Sequence, residues 1–181
     1  MIENSEGTDN EPITLSSGNW SENVSWEFMV NVAMPEDELC TAVCCVTLHN
    51  GKLVLVQNNR GWELPAGKRE EDETVLQAVQ REVLEETRGC ILEPKFFGYK
   101  KLTAKEPVPK PNNAESFYPF PNSYVIYYVA NVTEFLDQRL EQDIKESKLV
   151  DLEEAAILLQ ESGQYTNILE YLLENKLLNQ E

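Results

Sequence analysis

The chain has 181 residues, of which 41% are hydrophobic, which sets the expectation of one domain able to bury a substantial core. Its 32 acidic against 15 basic side chains leave a net charge of −17. A surface that negative repels nucleic acid and anionic lipid, so neither is expected as a partner. It repels phosphorylated small molecules too, so an enzyme handling phosphate on this chain needs cations at its site.

The first 20 residues, MIENSEGTDNEPITLSSGNW, are polar and acidic, with no basic segment or apolar stretch of a secretory signal. No apolar run approaches the ~18 residues of a spanning helix, so the expected location is cytoplasmic. The three N-x-S/T matches at Asn19, Asn23 and Asn131 are then chance. The segment 1–20 is expected to be flexible, with a single domain over 21–181. Trp26, Phe28, Val30 and Val32 alternate with other residues, the pattern of a half-buried strand. Residues 40–48, CTAVCCVTL, form an apolar, β-branched run. Asn50-Gly51 supplies a hairpin turn into a returning strand at Leu53–Val56. The four cysteines, Cys40, Cys44, Cys45 and Cys90, show no C-x-x-C spacing, and His49 is the only histidine. This argues against zinc and for small thiols in a reducing compartment.

After a loop, a helix is expected to begin with a capping box of Thr74 and Gln77 and to end at Gly89 as a left-handed cap. Residues 90–103 read as a strand. Residues 104–122 read as a loop with five prolines, long enough to govern substrate choice. Residues 123–132, SYVIYYVANV, form the clearest buried strand, and helices are expected over 152–161 and 166–178. Interleaved strands and helices with no internal repeat predict a mixed sheet packed by helices.

The chemistry concentrates in GKREEDETVLQAVQREVLEETRG, residues 67–89. On a helix, Glu82, Glu85 and Glu86 share one face, beside an apolar stripe of Leu76, Val79 and Val83. No lysine stands at helical spacing to relieve the repulsion. A divalent cation would do so, and an all-oxygen ligand set favours Mg²⁺ or Mn²⁺ over zinc. An isolated E-x-x-E-E is more often a solvated acidic face, so the decision rests on the context.

That context resembles the Nudix box, G-x5-E-x7-R-E-U-x-E-E-x-G-U, where U is bulky and aliphatic. Gly67, Glu73, Arg81-Glu82, Val83 and Glu85-Glu86 fall in its places, preceded by Trp62-Glu-Leu-Pro-Ala-Gly. The box covers 23 residues, and the order of elements extends the resemblance over about residues 40–175. Arg88 stands where the family has its last glycine, which arrives one residue later as Gly89, and Ala66 replaces a frequent glycine.

The resemblance implies an α/β/α sandwich with a mixed sheet. It implies a magnesium- or manganese-dependent hydrolase that cleaves a diphosphate linkage in a small-molecule nucleotide. Glu82, Glu85 and Glu86 are the implied metal ligands, joined by the backbone carbonyl of Gly67. Glu82 is the in-box candidate for general base. Arg81 orients the carboxylates, together with Glu73. Arg60 is a candidate phosphate contact, and Glu146 lies where many relatives carry a further acidic ligand or base on a loop. The first expectation for activity is a nucleoside triphosphate pyrophosphatase acting on purine nucleotides, oxidised ones included. Pro107, near a position marked by proline in many ADP-ribose enzymes, supports an ADP-ribose or nucleotide-sugar pyrophosphatase. A non-catalytic nucleotide sensor is the alternative of another class, but such modules often lose box glutamates and this chain has lost none. The aromatic residues Phe117, Tyr118, Phe120 and Tyr124 either stack a base or pack the core. The oligomeric state is left open, a homodimer included.

Overall fold

A computed structural model of the protein describes residues 11–107, 118–160 and 165–178. The strands are β1 (Ile13–Ser21), β2 (Val24–Val30), β3 (Cys40–His49), β4 (Lys52–Asn58), β5 (Gly61–Glu63), β6 (Ala66–Lys68), β7 (Gly89–Ile91), β8 (Lys95–Ala104), β9 (Asn122–Phe135) and β10 (Glu146–Val150). The helices are α1 (Val75–Thr87), α2 (Leu152–Gln160) and α3 (Thr166–Glu174). The main sheet runs β1-β2-β8-β9-β3-β4-β10, with β5 added to β4, β6 to β3 and β7 to β9. Among the described residues only β3 and β9 pair in parallel; the other pairs are antiparallel. The sheet is therefore mixed, as expected.

The period-2 alternation of the strands divides the core into two layers. Cys44, Val46, Leu48, Leu53 and Leu55 face α2 and α3, where they join Leu159, Ile168 and Leu172. Val43, Cys45 and Val54 face α1 and meet Val75, Ala78, Val79 and Val83. Central strands covered on both faces need continuous apolar sequence, which explains the run at 40–48. The result is an α/β/α sandwich. No helix among the described residues is long and apolar enough to cross a membrane.

Several expectations are corrected. Residues 13–20 of the segment expected to be flexible belong to the edge strand β1, which pairs with β2. Ile13, Leu15 and Trp20 are spread among polar residues, so the segment lacks the clean alternation that marks a half-buried strand. The strand expected over 90–103 is two strands broken at Leu92–Pro94, where Glu93 takes a positive φ of 49° ahead of the proline. Leu76 does not belong to the buried stripe of α1. It is exposed, and Val75 and Ala78 pack instead. Residues 146–150 are a strand rather than a loop: β10 pairs with β4 at the sheet edge. Of the loop expected over 104–122, residues 108–117 lie outside the described residues, and Phe117 with them. Tyr124 joins the edge of the α1-side core, as the packing alternative held.

One feature of the sheet positions the site. β3 and β4 pair only beside their hairpin, at Leu48↔Leu53 and His49↔Lys52. That turn is sharp, with positive φ at both Asn50 (51°) and Gly51 (74°), as a two-residue hairpin requires. Beyond it the strands part. β6 lines the exposed side of β3 and β5 that of β4, and α1 brings its carboxylates to the opening.

Candidate metal centre

Helix α1 starts at the expected capping box: the Gln77 amide donates to Thr74 Oγ1 (3.2 Å) and the Thr74 amide donates to Gln77 Oε1 (2.9 Å). The cap fixes the helix phase, and the apolar face seats it on the sheet. That seating turns Glu82 and Glu86 inward, each only 7% exposed. The Ala66 amide donates to Glu86 Oε2 at 2.8 Å, tying the helix to β6.

Arg81 organises the carboxylates around it. Its guanidinium donates twice to Glu73, once to Glu82 (2.8 Å), once to Glu85 (3.0 Å) and once to the Lys68 carbonyl (2.9 Å). A planar fork of five donors suits this task and an ammonium does not. The hydrogen bonds from Arg81 hold the Glu73 carboxyl below the usual carboxylate range. Glu73 also accepts from the Glu70 amide, so the loop 68–73 is clamped to the helix.

Glu82 and Glu86 are brought together with Glu141, one carboxylate oxygen of each lying within 4.8 Å of the other two. Burial pushes Glu86 up to about 8, and the neighbouring carboxylates of Glu82, Glu141 and Glu63 push the same way against the Ala66 amide. Burial raises Glu82 as well, against the pull of Arg81. Three crowded carboxylates of hard oxygen, two of them buried, fit a divalent cation, which removes both penalties at once.

Gly67 explains itself by space. A Cβ at this position would overlap the Glu82 carboxylate carbon and both its oxygens. Only hydrogen lets β6 pass so close to that side chain.

The candidate residues from sequence divide as follows. Glu82, Glu86, Arg81 and Gly67 converge. Glu85 is on the same helix face but more exposed, and it is held by Arg81 outside the three-carboxylate group. Arg60 lies at the rim, paired in bidentate fashion with Glu63 (2.7 and 3.0 Å), so it begins with a carboxylate partner rather than as an open phosphate contact. Glu146 opens β10, exposed and opposite Gln57, and the group includes Glu141 in its place. Glu141 is held there because its own amide donates to the Glu85 carbonyl (2.9 Å). No spacing in the sequence marks it: the stretch 141–146 holds three carboxylates, and only the docking of this loop on α1 selects among them.

The chain matches the model of the NUDIX domain over residues 38–171. It belongs to the Nudix family of pyrophosphohydrolases. A Bacillus subtilis pyrophosphohydrolase shares the fold, with a TM-score of 0.58 at 18% identity, covering 83% of this chain and 98% of that one. A Nudix hydrolase from Nitrosomonas europaea gives 0.54 at 23%, covering 75% and 86%. The Nudix domain of a Shewanella oneidensis protein in complex with ADP ribose gives 0.52 at 18%, covering 77% and 90%. No curated protein sequence matched significantly.

The Nudix box departs from its pattern at the end of α1, and the structure shows how. The helix stops at Thr87, and Arg88, in the family's glycine position, itself adopts the left-handed conformation (φ 65°). Its amide donates to the Leu84 carbonyl at 2.8 Å. Gly89 is therefore not the left-handed cap. It is needed for close approach, since a Cβ there would meet Thr87 Oγ1 and Val132 Cγ2 at 2.9 Å each. The carboxylates lie upstream and are undisturbed.

Proposed function

We propose that this Nudix protein hydrolyses a diphosphate linkage in a nucleotide, using Mg²⁺ or Mn²⁺ held by Glu82, Glu86 and Glu141. The observation that carries this reading is the convergence of those three carboxylates beside Arg81. Glu85 and the Gly67 carbonyl complete the candidate ligand set. When bound, the cation supplies charge neutralisation at the diphosphate oxygens and lowers the pKa of water.

The chain's own residues do the rest. Arg81 fixes Glu73, Glu82 and Glu85 in one orientation, so the ligand oxygens are placed before substrate arrives. Glu141 is exposed and, among the described residues, no side chain holds its carboxylate. With one oxygen at the cation, its other oxygen is thus better placed than Glu82, whose Oε1 accepts from Arg81, to take the proton from the attacking water. Arg60, released from Glu63 when an anion enters, can meet a substrate phosphate.

Within this class a nucleoside triphosphate is the first substrate proposed, oxidised purine nucleotides included. ADP ribose is the second, favoured by the similar fold of a domain that binds it. A pure sensor role fits less well, because every box carboxylate is kept. The test is hydrolysis of a nucleotide panel, triphosphates and ADP ribose among them, by the full chain with Mg²⁺. Cleavage of at least one substrate at a diphosphate bond is expected. Tight nucleotide binding with no cleavage of any would favour the sensor.

A further inference from the structure

A cavity of about 240 Å³ opens on the α2/α3 face of the sheet, beyond the reach of those helices. Its walls are the ends of β1, β2 and β8, with Trp20, Val24 and Leu102, the loop before β9, with Tyr118 and Pro121, and Ser123 of β9 itself. Leu102 and Ser123 are paired across β8 and β9, so they share this face. The lining is almost wholly apolar, yet Trp20 is 67% exposed. The largely exposed indole of Trp20 thus stands beside a cavity that also carries the half-buried ring of Tyr118.

One residue joins this cavity to the metal centre. The Lys68 carbonyl accepts from Arg81, and the Lys68 ammonium lies 5.9 Å from the centre of the Tyr118 ring. Lys68 pairs with Ala42 in β6–β3, immediately after Gly67. A ligand whose phosphates sit at Glu82 and Glu86 would therefore pass a lysine before its other end reaches the rings. In a chain of charge −17, a cation at that point can meet an anion.

We propose that this cavity seats the heteroaromatic base of the nucleotide, stacked by Trp20 and Tyr118, while Lys68 contacts its phosphate. This rests on the hydrolase reading above and adds where the base goes. Aromatic faces recognise any flat base, and the volume admits a single ring system rather than a dinucleotide. Trp20 and Val24 lie outside residues 38–171, so the seat is built partly by the N-terminal hairpin, an addition to the matched domain.

The test is equilibrium binding of nucleoside 5′-monophosphates and of ribose 5-phosphate, a base-free control, to the full chain with Mg²⁺. Two variants accompany the wild type. Trp20→Ala removes an exposed side chain, so folding is not at stake. Ala104→Phe fills the cavity from β8. The wild type is expected to bind at least one monophosphate tenfold or more tighter than ribose 5-phosphate, and both variants to lose that advantage. Equal binding of the two ligands by the wild type, or an advantage that survives in both variants, overturns the proposal. Mg²⁺ binding is titrated alone in parallel. If the wild type binds Mg²⁺ and cleaves nucleotides but the variants keep the base advantage, only the base seat fails. If it neither binds Mg²⁺ nor cleaves, the hydrolase reading fails and the base seat with it.

Discussion

Replacing Gly67 by alanine adds one methyl group where β6 passes the Glu82 carboxylate, and that methyl would overlap the carboxylate. Gly67 does not occupy the positive-φ region, so the backbone tolerates alanine and the whole effect must come from the clash. Glu82 can only yield by leaving its place, which breaks its 2.8 Å hydrogen bond from Arg81. A hydrogen bond to a charged group is worth about 1.5–3 kcal/mol, and relaxation offsets part of that. The expected cost is about 1–3 kcal/mol, roughly 3–10 °C in Tm for a domain of this size. Metal affinity should fall about 10–100-fold through lost ligand orientation. The assay is urea unfolding with Mg²⁺ titration of the wild type, Gly67→Ala, Glu82→Ala and the double variant. In the Glu82→Ala background the methyl has room, so adding Gly67→Ala should cost less than about 0.5 kcal/mol, giving a clear coupling energy. Equal destabilisation by Gly67→Ala in both backgrounds would refute the steric reasoning.

Metal-free protein should lose stability as pH rises. The folded Glu86 keeps its proton up to about 8 and the unfolded one releases it near 4.5, so the folded state binds more protons between those values. Urea unfolding in EDTA should then show a loss of about 2–3 kcal/mol from pH 5.5 to 7.5, removed in Glu86→Gln; a pH slope unchanged in that variant contradicts the assignment. Arg81→Lys keeps the charge but not the fork that bonds Glu73, Glu82 and Glu85, so metal affinity should fall about 10–100-fold in a Mg²⁺ titration. Glu63→Gln weakens the hold on Arg60 and should lower KM for a phosphorylated substrate; a KM unchanged in steady-state kinetics would leave Arg60 a structural partner of Glu63 only.

The parts of this molecule legible in its sequence are those set by local rules. The capping box at Thr74, the Asn50-Gly51 hairpin and the buried runs of β3 and β9 follow from short-range periodicity and turn chemistry. Glu82, Glu86 and Arg81 were legible because one helix carries them all. What was hidden depends on tertiary contact. Glu141 is selected over Glu146 by docking of its loop on the Glu85 carbonyl, which no spacing encodes. β1 is held mainly by pairing along β2, with Leu15 alone among its apolar side chains packed against the core among the described residues. Arg88 in a left-handed cap was obscured by the glycine beside it, whose role is proximity to Val132 instead.

If the carboxylates buried on α1 bind a divalent cation that hydrolysis requires, removing one of them must cost both metal binding and turnover. The most direct measurement compares Mg²⁺ affinity and Mg²⁺-dependent nucleotide turnover in the wild type and in Glu86→Gln, with circular dichroism to show that both are folded. The Glu86 carboxylate accepts a hydrogen bond from the Ala66 amide, a contact that glutamine can retain without the charge. The folded variant is expected to lose Mg²⁺ affinity and its kcat to fall at least about 100-fold, while wild-type turnover disappears in EDTA and returns with Mg²⁺ or Mn²⁺ but not zinc. Full turnover by Glu86→Gln, or wild-type hydrolysis that persists in excess chelator, would contradict that requirement.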